Sequence, residues 1–178
     1  MRWLPFQLNP DLPASGISRA DYIMRKFGPV GNAKYDRVAM VGKSVGLDMA
    51  FAKITVQPNT VNAHRLLHHA AGLGKQDAVA EALFRAYFIE GANLTDNAVL
   101  ADYAAEAGLS REGVLKYLNS DEDADVIRGA DVEARQTGVE GVPFFIFNHG
   151  IGLSGAQEAV VLLQAMQQAL AGAPAAER

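Results

Sequence analysis

The sequence of 178 residues predicts an α/β or α+β fold that contains a large helical insertion. Three observations lead to this class: a short strand-like segment opens the chain, a long run of helical segments follows, and a strand, turn, strand and helix close it. Apolar residues make up 49% of the chain, which is ample for a packed core without metal or disulfide support. The length is typical of one domain, with or without an inserted subdomain.

The opening segment, Trp3 to Leu8, alternates bulky apolar side chains with smaller or polar ones and ends at Asn9-Pro10. This pattern predicts a short strand that runs into a loop. Helices follow, with Ser or Asp at their starts and Gly at their ends. They vary in length and no residue pattern recurs at a fixed period, so we expect one irregular helical bundle and no solenoid. The predicted helices cover about residues 18–28, 33–45, 60–71, 75–90, 96–107, 110–118 and 120–138, with an extended stretch at 47–57.

The character of the sequence changes at Gly138, where a loop leads into the apolar run Phe144 to Phe147. The Asn148-His149-Gly150 segment predicts a turn and Ile151 to Ser154 a returning strand, which together make a β-hairpin. An apolar run such as Phe144 to Phe147 is typical of a strand that is buried on both faces. A closing helix is predicted over about residues 157–170, and the Ala-rich tail is expected to be frayed.

Composition excludes several kinds of chemistry. The chain has no cysteine, so it can supply no disulfide, no thiolate nucleophile and no thiolate metal ligand. Its net charge is -4 and its charges are scattered, which argues against a nucleic-acid partner. The N-terminus lacks the apolar run of a signal peptide and no stretch is long enough to span a bilayer, so we expect a cytoplasmic protein without a membrane partner.

His64 and His68 share a helix face at the spacing of a metal-binding pair. No glutamate completes a His-Glu-x-x-His motif and no third ligand stands out, so a solvated or packed histidine pair is the better interpretation. We therefore predict no metal site.

Four segments occur together in an order and at a spacing typical of one family. They are WLPFQLNP at 3–10, PNTVNAHRL at 58–66, ALFRAYF at 82–88 and GVEGVPFF at 138–145. On these segments the chain resembles the DsbA-like FrnE family of the thioredoxin-fold superfamily, whose relatives include 2-hydroxychromene-2-carboxylate isomerase and kappa-class glutathione transferase. The resemblance spans essentially the whole chain.

The resemblance implies a thioredoxin-like (DsbA-like) fold in which the first strand and first helix are missing. Members of the family place a strand and a redox Cys-x-x-Cys, or a catalytic Ser, before the segment similar to residues 2–8. The absent strand would lie at the centre of the sheet, so we expect rearranged pairing or a strand from a second subunit to fill its place. The implied domains are an incomplete thioredoxin-like domain (1–10 and 139–172), an inserted helical subdomain (11–138) and a tail (173–178).

The resemblance also implies a binding site, although it implies no catalytic residue in this chain. A cis Val142-Pro143 bond would turn the backbone of Val142 toward an extended peptide or glutathione, unless these two residues only shape the entry to the buried strand. Ser154, with the N–H groups of Gly155 and Ala156, would form a helix N-terminus for the γ-glutamyl end of glutathione, unless Ser154 is only a helix cap. Asn59 either caps the next helix or lies near the ligand.

We therefore expect a thiol-disulfide oxidoreductase-like protein that is inactive as it stands, needs no cofactor and forms a homodimer. One alternative is a glutathione- or peptide-binding module, or a homologue of a glutathione-dependent isomerase. Another is an interaction protein that assembles through its sheet edge, across a large apolar two-fold interface. A third possibility is that the natural protein starts upstream of Met1 and includes the strand and helix that carry the nucleophile.

Overall fold

The computed structural model describes residues 1–148 and 150–172, apart from the side chains of Val30 and Asn32. The chain divides into two compact units, of which the first is Met1–Ala130 and the second begins at Asp131. The predicted turn residue His149 and the predicted tail at 173–178 lie outside the described residues. The proposed division of the chain at residues 10 and 138 stays a prediction.

The segment from Met1 to Leu8 contains no strand, so the predicted strand at Trp3 to Leu8 is wrong. The Trp3 backbone N–H donates to Gln76 Oε1 over 3.0 Å, and Gln76 Nε2 donates to the Trp3 carbonyl over 2.9 Å. The indole Nε1 of Trp3 donates to Asp77 Oδ1 at 2.7 Å. The side-chain amide of Gln76 thus satisfies the backbone groups of Trp3 that a neighbouring strand would have paired. Alternation of apolar and polar residues is therefore not enough to place a segment in a β-sheet.

A small antiparallel sheet and a helical hairpin follow this segment. The Ser18 hydroxyl accepts the N–H of Asp21, which confirms the predicted start of the first helix. The predicted extended stretch at 47–57 contains a 3₁₀ turn at Phe51–Lys53 and ends in a strand. The elements are β1 (Ile17–Ser18), α1 (Arg19–Phe27), α2 (Gly31–Ser44) and β2 (Val56–Gln57), with β1 paired to β2.

Five further helices carry the chain to residue 136. Asp96 and Ser110 cap two of them by accepting the N–H groups of Ala98 and Gly113. The helix predicted over 75–90 turns π-helical after Arg85, over Ala86–Glu90. The helices are α3 (Val61–Gly72), α4 (Gln76–Arg85), α5 (Asn97–Glu106), α6 (Arg111–Leu118) and α7 (Ala124–Gln136), and α7 contributes residues to both units.

The core of the first unit lies between α3, α4, α5 and α6. Each helix contributes a side chain that is essentially inaccessible: Leu66, Val79, Leu100 and Val114, of which the most exposed is 1% accessible. Three of these helices, α3, α4 and α5, also bury alanines against the core. The helical part of the sequence prediction is therefore confirmed in type and order.

Arg65 is the main polar group inside this core and is only 2% exposed. Its Nε donates to the Glu122 carbonyl at 2.7 Å, and its Nη2 donates to the Tyr117 and Ser120 carbonyls at 2.9 and 2.8 Å. Its Nη1 donates to the Leu118 carbonyl at 3.2 Å. Because the last carbonyls of a helix have no partner within the helix, one guanidinium closes the C-terminus of α6 and the turn after it.

The second unit contains an antiparallel hairpin and the closing helix. Its elements are β3 (Phe144–Phe147), β4 (Ile151–Ser154) and α8 (Ala159–Ala171). α8 packs against β3, and Asn148 Nδ2 in the hairpin turn donates to the Ala169 carbonyl at 3.2 Å. The predicted hairpin and closing helix are confirmed, although the helix begins two residues later than expected.

Candidate functional site

The hydrogen-bond phase of the β3–β4 hairpin can be read from one bond. Phe144 lies opposite Ser154, and the N–H of Gly155 donates to the Pro143 carbonyl at 2.8 Å, one position further along. In antiparallel pairs, hydrogen-bonded positions alternate with non-bonded ones. Pro143 and every second residue after it therefore turn their backbone groups toward β4.

The intervening residues, Val142, Phe144 and Ile146, turn their backbone N–H and C=O groups the other way. We call these groups the outer edge of β3. Among the described residues, no strand pairs with this edge, because the sheet contains β3 and β4 alone. Val142 is 49% exposed and Ile146 is 52% exposed. Unpaired groups repeated at every second residue form a template for another extended chain.

The side chains around the outer edge are apolar. The rings of Phe145 and Phe147 stack with their centroids 6.5 Å apart on one face. The ring of Phe144 lies over Gly152 on the other face, where an added Cβ would lie 3.1 Å from the ring. The prediction that β3 is buried on both faces is wrong at Ile146, because the two-stranded hairpin leaves that side chain half exposed.

The peptide bond between Val142 and Pro143 is cis, which confirms the geometry that the family resemblance implied. Residues 142–156 contain no acidic residue, lysine, arginine or cysteine. The segment therefore offers backbone hydrogen bonds and apolar contacts, and it has no carboxylate, amine or thiol. Its imidazole, on His149, lies outside the described residues, and its one hydroxyl is that of Ser154.

The predicted helix N-terminus at Ser154, Gly155 and Ala156 is wrong. α8 begins at Ala159, and its N-cap is Glu158. Gly155 has a left-handed φ of 79° and donates its N–H to Pro143, so this N–H belongs to the hairpin. The Ser154 carbonyl accepts a hydrogen bond from Gln157 Nε2 at 2.7 Å. The ladder thus continues through the residues that were expected to start the helix, and glutathione binding by these residues stays a prediction.

Asn59 has a structural role in the first unit. Its Oδ1 accepts the N–H of Val61 at 3.0 Å, and its Nδ2 donates to the Leu12 carbonyl at 2.7 Å. The side chain therefore accepts the first N–H of α3 from the position before the N-cap Thr60, which is close to the capping role that one interpretation of the sequence predicted, and it ties the connector before α1 to this helix. A role for Asn59 near a ligand stays a prediction.

The two histidines on α3 have different surroundings. His64 Nε2 lies 3.2 Å from the Phe6 carbonyl, and His68 Nε2 lies 4.0 Å from Asp123 Oδ2. Within residues 1–148 and 150–172, no three metal-ligating side chains lie together. The Asp123 carboxylate also accepts a hydrogen bond from the Tyr117 hydroxyl at 2.8 Å, so it is already engaged in a structural contact.

Among the described residues, several groups of the first unit have a clearly shifted pKa. Burial raises the pKa of Tyr87 to about 12. A hydrogen bond to Glu90 raises the pKa of Tyr103 to about 12, and the same bond lowers the pKa of Glu90. Each shift has an ordinary structural cause, so none of these groups indicates a catalytic centre.

A hairpin of this phase with an apolar edge, in a chain that also forms a largely helical unit, is typical of a thioredoxin-like protein of the DsbA type. The chain belongs to the DSBA-like thioredoxin domain family, whose sequence profile matches residues 1–167. This is a family of thiol-disulfide oxidoreductases, and the predicted fold class is confirmed.

A solved structure supports this assignment. The chain is similar to a probable DsbA oxidoreductase from Streptomyces coelicolor, with 29% sequence identity and a TM-score of 0.82. The match covers 97% of this chain and 76% of that one. A comparison with curated proteins found no match. No helix in the described part of the chain has the length and apolar character to cross a membrane.

Proposed function

We propose that this polypeptide holds an extended peptide, or the peptide backbone of glutathione, along the outer edge of β3 and does not itself exchange disulfides. The observation that carries the proposal is the bond from Gly155 N–H to the Pro143 carbonyl, because it fixes which backbone groups face outward. Val142, Phe144 and Ile146 then present a regular series of donors and acceptors.

An extended ligand that adds to this edge gains main-chain hydrogen bonds and little else. Each such bond contributes about 1 kcal/mol net, so the two or three bonds that glutathione can form correspond to a Kd of about 10 mM or weaker. A longer peptide gains more bonds and also contacts the exposed side chains of Val142 and Ile146. The proposal therefore favours an extended polypeptide as the better ligand and glutathione as a minimal one.

Disulfide exchange needs a thiolate that attacks a disulfide sulfur, and this sequence contains no cysteine. Binding without exchange is thus the function that the residues of the polypeptide can support. The finer assignments, to the FrnE family and to glutathione-dependent isomerisation, belong with this proposal. The chemistry of either one requires a nucleophile from outside the sequence.

The test is a titration of the ¹⁵N-labelled protein with glutathione and with S-methylglutathione, followed by NMR. We expect both ligands to shift the amide signals of Val142, Phe144 and Ile146, because binding uses the peptide backbone and not the thiol. The same protein should leave the rate of insulin reduction at the blank value. Absence of any shift at these three amides, or a thiol-dependent rate, would contradict the proposal.

A second candidate function is assembly through the same edge, and one observation favours it. The exposed residues Val160, Leu163, Met166 and Leu170 form an apolar stripe on α8, between 46% and 76% accessible. The residues from Ala159 to Ala171 include no charged side chain, so two copies of this surface approach each other without charge repulsion. Antiparallel pairing of two β3 edges would bring both copies together around a two-fold axis.

Sedimentation equilibrium separates the two candidates. Assembly predicts a dimer at micromolar concentration that Ile146→Lys or Leu163→Lys dissociates, whereas Val126→Lys, at a similarly exposed position of the first unit, leaves it intact. A monomer at all concentrations would exclude assembly and leave the edge open for a peptide.

A further inference from the structure

The helical hairpin of α1 and α2 is basic, although the chain as a whole is acidic. Residues 19–47 contain six lysines and arginines and two aspartates, whereas the rest of the chain contains ten basic and eighteen acidic residues. A net charge counted over the whole chain hides this local excess.

Within the described part of the chain, no carboxylate forms an ion pair with a basic side chain of this hairpin. Every ion pair recorded within the described residues lies between residues 68 and 135. Arg19 is buried, donates to Gln57 and lies 4.5 Å from the ring centroid of Tyr35. Lys34 Nζ lies 4.6 Å from the ring centroid of Phe27, so its neighbour is an aromatic face. The exposed cations Arg25, Lys26, Lys34, Arg37 and Lys43 remain available to an external anion.

Large apolar side chains are exposed between these cations on α2. Val38 and Val41 are 49% and 62% accessible, Met40 is 70% accessible, and Val45, in the turn directly after the helix, continues the stripe at 70% accessible. Lys34 lies on the same stripe, one turn before Val38. The hydrophobic core of the first unit includes no residue of α1 or α2, so the hairpin lies outside that core.

We propose that α2 binds peripherally to the surface of an anionic lipid bilayer. We call Lys34, Arg37, Val38, Val41 and Val45 the basic face of α2. Its valines would enter the boundary between headgroups and acyl chains, while the long basic side chains reach the lipid phosphates. The negative charge of the lipid surface attracts these cations, which have no carboxylate partner among the described residues.

The pattern of the basic face favours a lipid surface over an acidic protein. The centres of protein interfaces are enriched in aromatic residues and depleted in lysine. On α2, in contrast, two cations are followed along one stripe by small aliphatic side chains, and no aromatic residue is exposed. A fluid surface accommodates this mixture because headgroups rearrange around each cation. The expectation of no membrane partner was based on the absence of a spanning segment, which does not bear on peripheral binding.

The test is co-sedimentation of the full chain with vesicles of phosphatidylcholine alone and of phosphatidylcholine with phosphatidylglycerol at three to one. We expect binding to the anionic vesicles alone, and less of it as salt rises. Each cation on a membrane surface contributes about fivefold in partitioning, so K34E/R37E should reduce binding by well over tenfold. The matched reversal K75E/K116E changes the net charge equally on exposed residues elsewhere and should reduce binding far less.

The apolar contribution is tested separately with Val41→Gln, which should weaken binding severalfold, and with Val126→Gln, which should not. Circular dichroism confirms that each variant is folded. Equal binding to both kinds of vesicle, no binding at low salt, or equal losses for the two charge-reversal pairs would overturn the proposal. Binding to soluble poly-glutamate without binding to vesicles would also overturn it and would point to an acidic protein partner.

Discussion

Replacement of Arg65 by methionine should strongly destabilise the first unit. Methionine matches much of the volume of the arginine stem but removes the guanidinium, which donates from Nε, Nη1 and Nη2 to four carbonyls around the end of α6. At 2% exposure the site admits little water to replace these bonds. The carbonyls of Tyr117, Leu118, Ser120 and Glu122 would lose their charged donor together.

The magnitude follows from the cost of unsatisfied buried groups. The Tyr117 and Leu118 carbonyls keep hydrogen bonds from Ser120 and Asn97, so the carbonyls of Ser120 and Glu122 are the ones left without a donor. Each orphaned polar group costs about 1–3 kcal/mol, so we expect a loss of about 4 kcal/mol in the free energy of unfolding. For a chain of this size, that corresponds to a fall in Tm of about 10 °C. Arg65→Lys should lose about half as much, because one ammonium can reach only some of the carbonyls.

Urea and thermal denaturation followed by circular dichroism measure this difference. The control is Arg128→Met, which removes an exposed arginine paired with Asp125 and should leave the midpoint almost unchanged. If Arg65→Met unfolds within about 1 kcal/mol of the parent, the guanidinium does not hold the end of α6 in the way that these bonds indicate.

Three further changes have expected outcomes. Gly152→Val should destabilise the hairpin because its Cβ would lie 3.1 Å from the Phe144 ring, whereas Gly141→Ala, with no atom within 4 Å, should be neutral in urea titrations. The pKa of Tyr87 is raised by burial to about 12, so its stabilising contribution is present below pH 10 and is lost as the pH rises toward 12. The free energy of unfolding, measured at pH 9, 10 and 11, should fall with pH less steeply in Tyr87→Phe than in the parent protein. The two slopes should differ by up to about 1.4 kcal/mol per pH unit. Asn148→Ala should cost about 1–2 kcal/mol, since alanine loses the bond to the Ala169 carbonyl and tolerates a φ of 48° poorly, and Asn148→Gly should recover the strain part in the same assay.

Local signals in the sequence predicted most elements because those elements depend on near neighbours. Capping residues such as Ser18, Asp96 and Ser110 satisfy the first N–H groups of their own helices, so their meaning does not depend on the rest of the fold. The hairpin was predictable for the same reason, since its strands are separated by one short turn.

The sequence predictions were wrong where a residue far away in the chain determines the local structure. Trp3 to Leu8 has the alternation of a strand, but Gln76, 73 positions away from Trp3, takes its backbone bonds. Ser154 is a residue type that often caps helices, but the N–H of Gly155, which follows it, donates to the Pro143 carbonyl and so extends the hairpin. The short β1–β2 pair was missed because two-residue strands carry almost no periodic signal. The outer edge of β3 depends on hydrogen-bond phase, which the sequence does not display.

The most direct test of that edge is the affinity of Ile146→Pro for a six-residue peptide of alternating threonine and valine, measured by NMR titration. Proline removes the outward N–H of Ile146, whereas the inward bonds of its neighbours to β4 remain. The account predicts that the hairpin stays folded and that binding falls at least tenfold relative to the parent protein. Binding at the parent affinity, with a folded hairpin, would show that the outer edge of β3 does not hold the peptide.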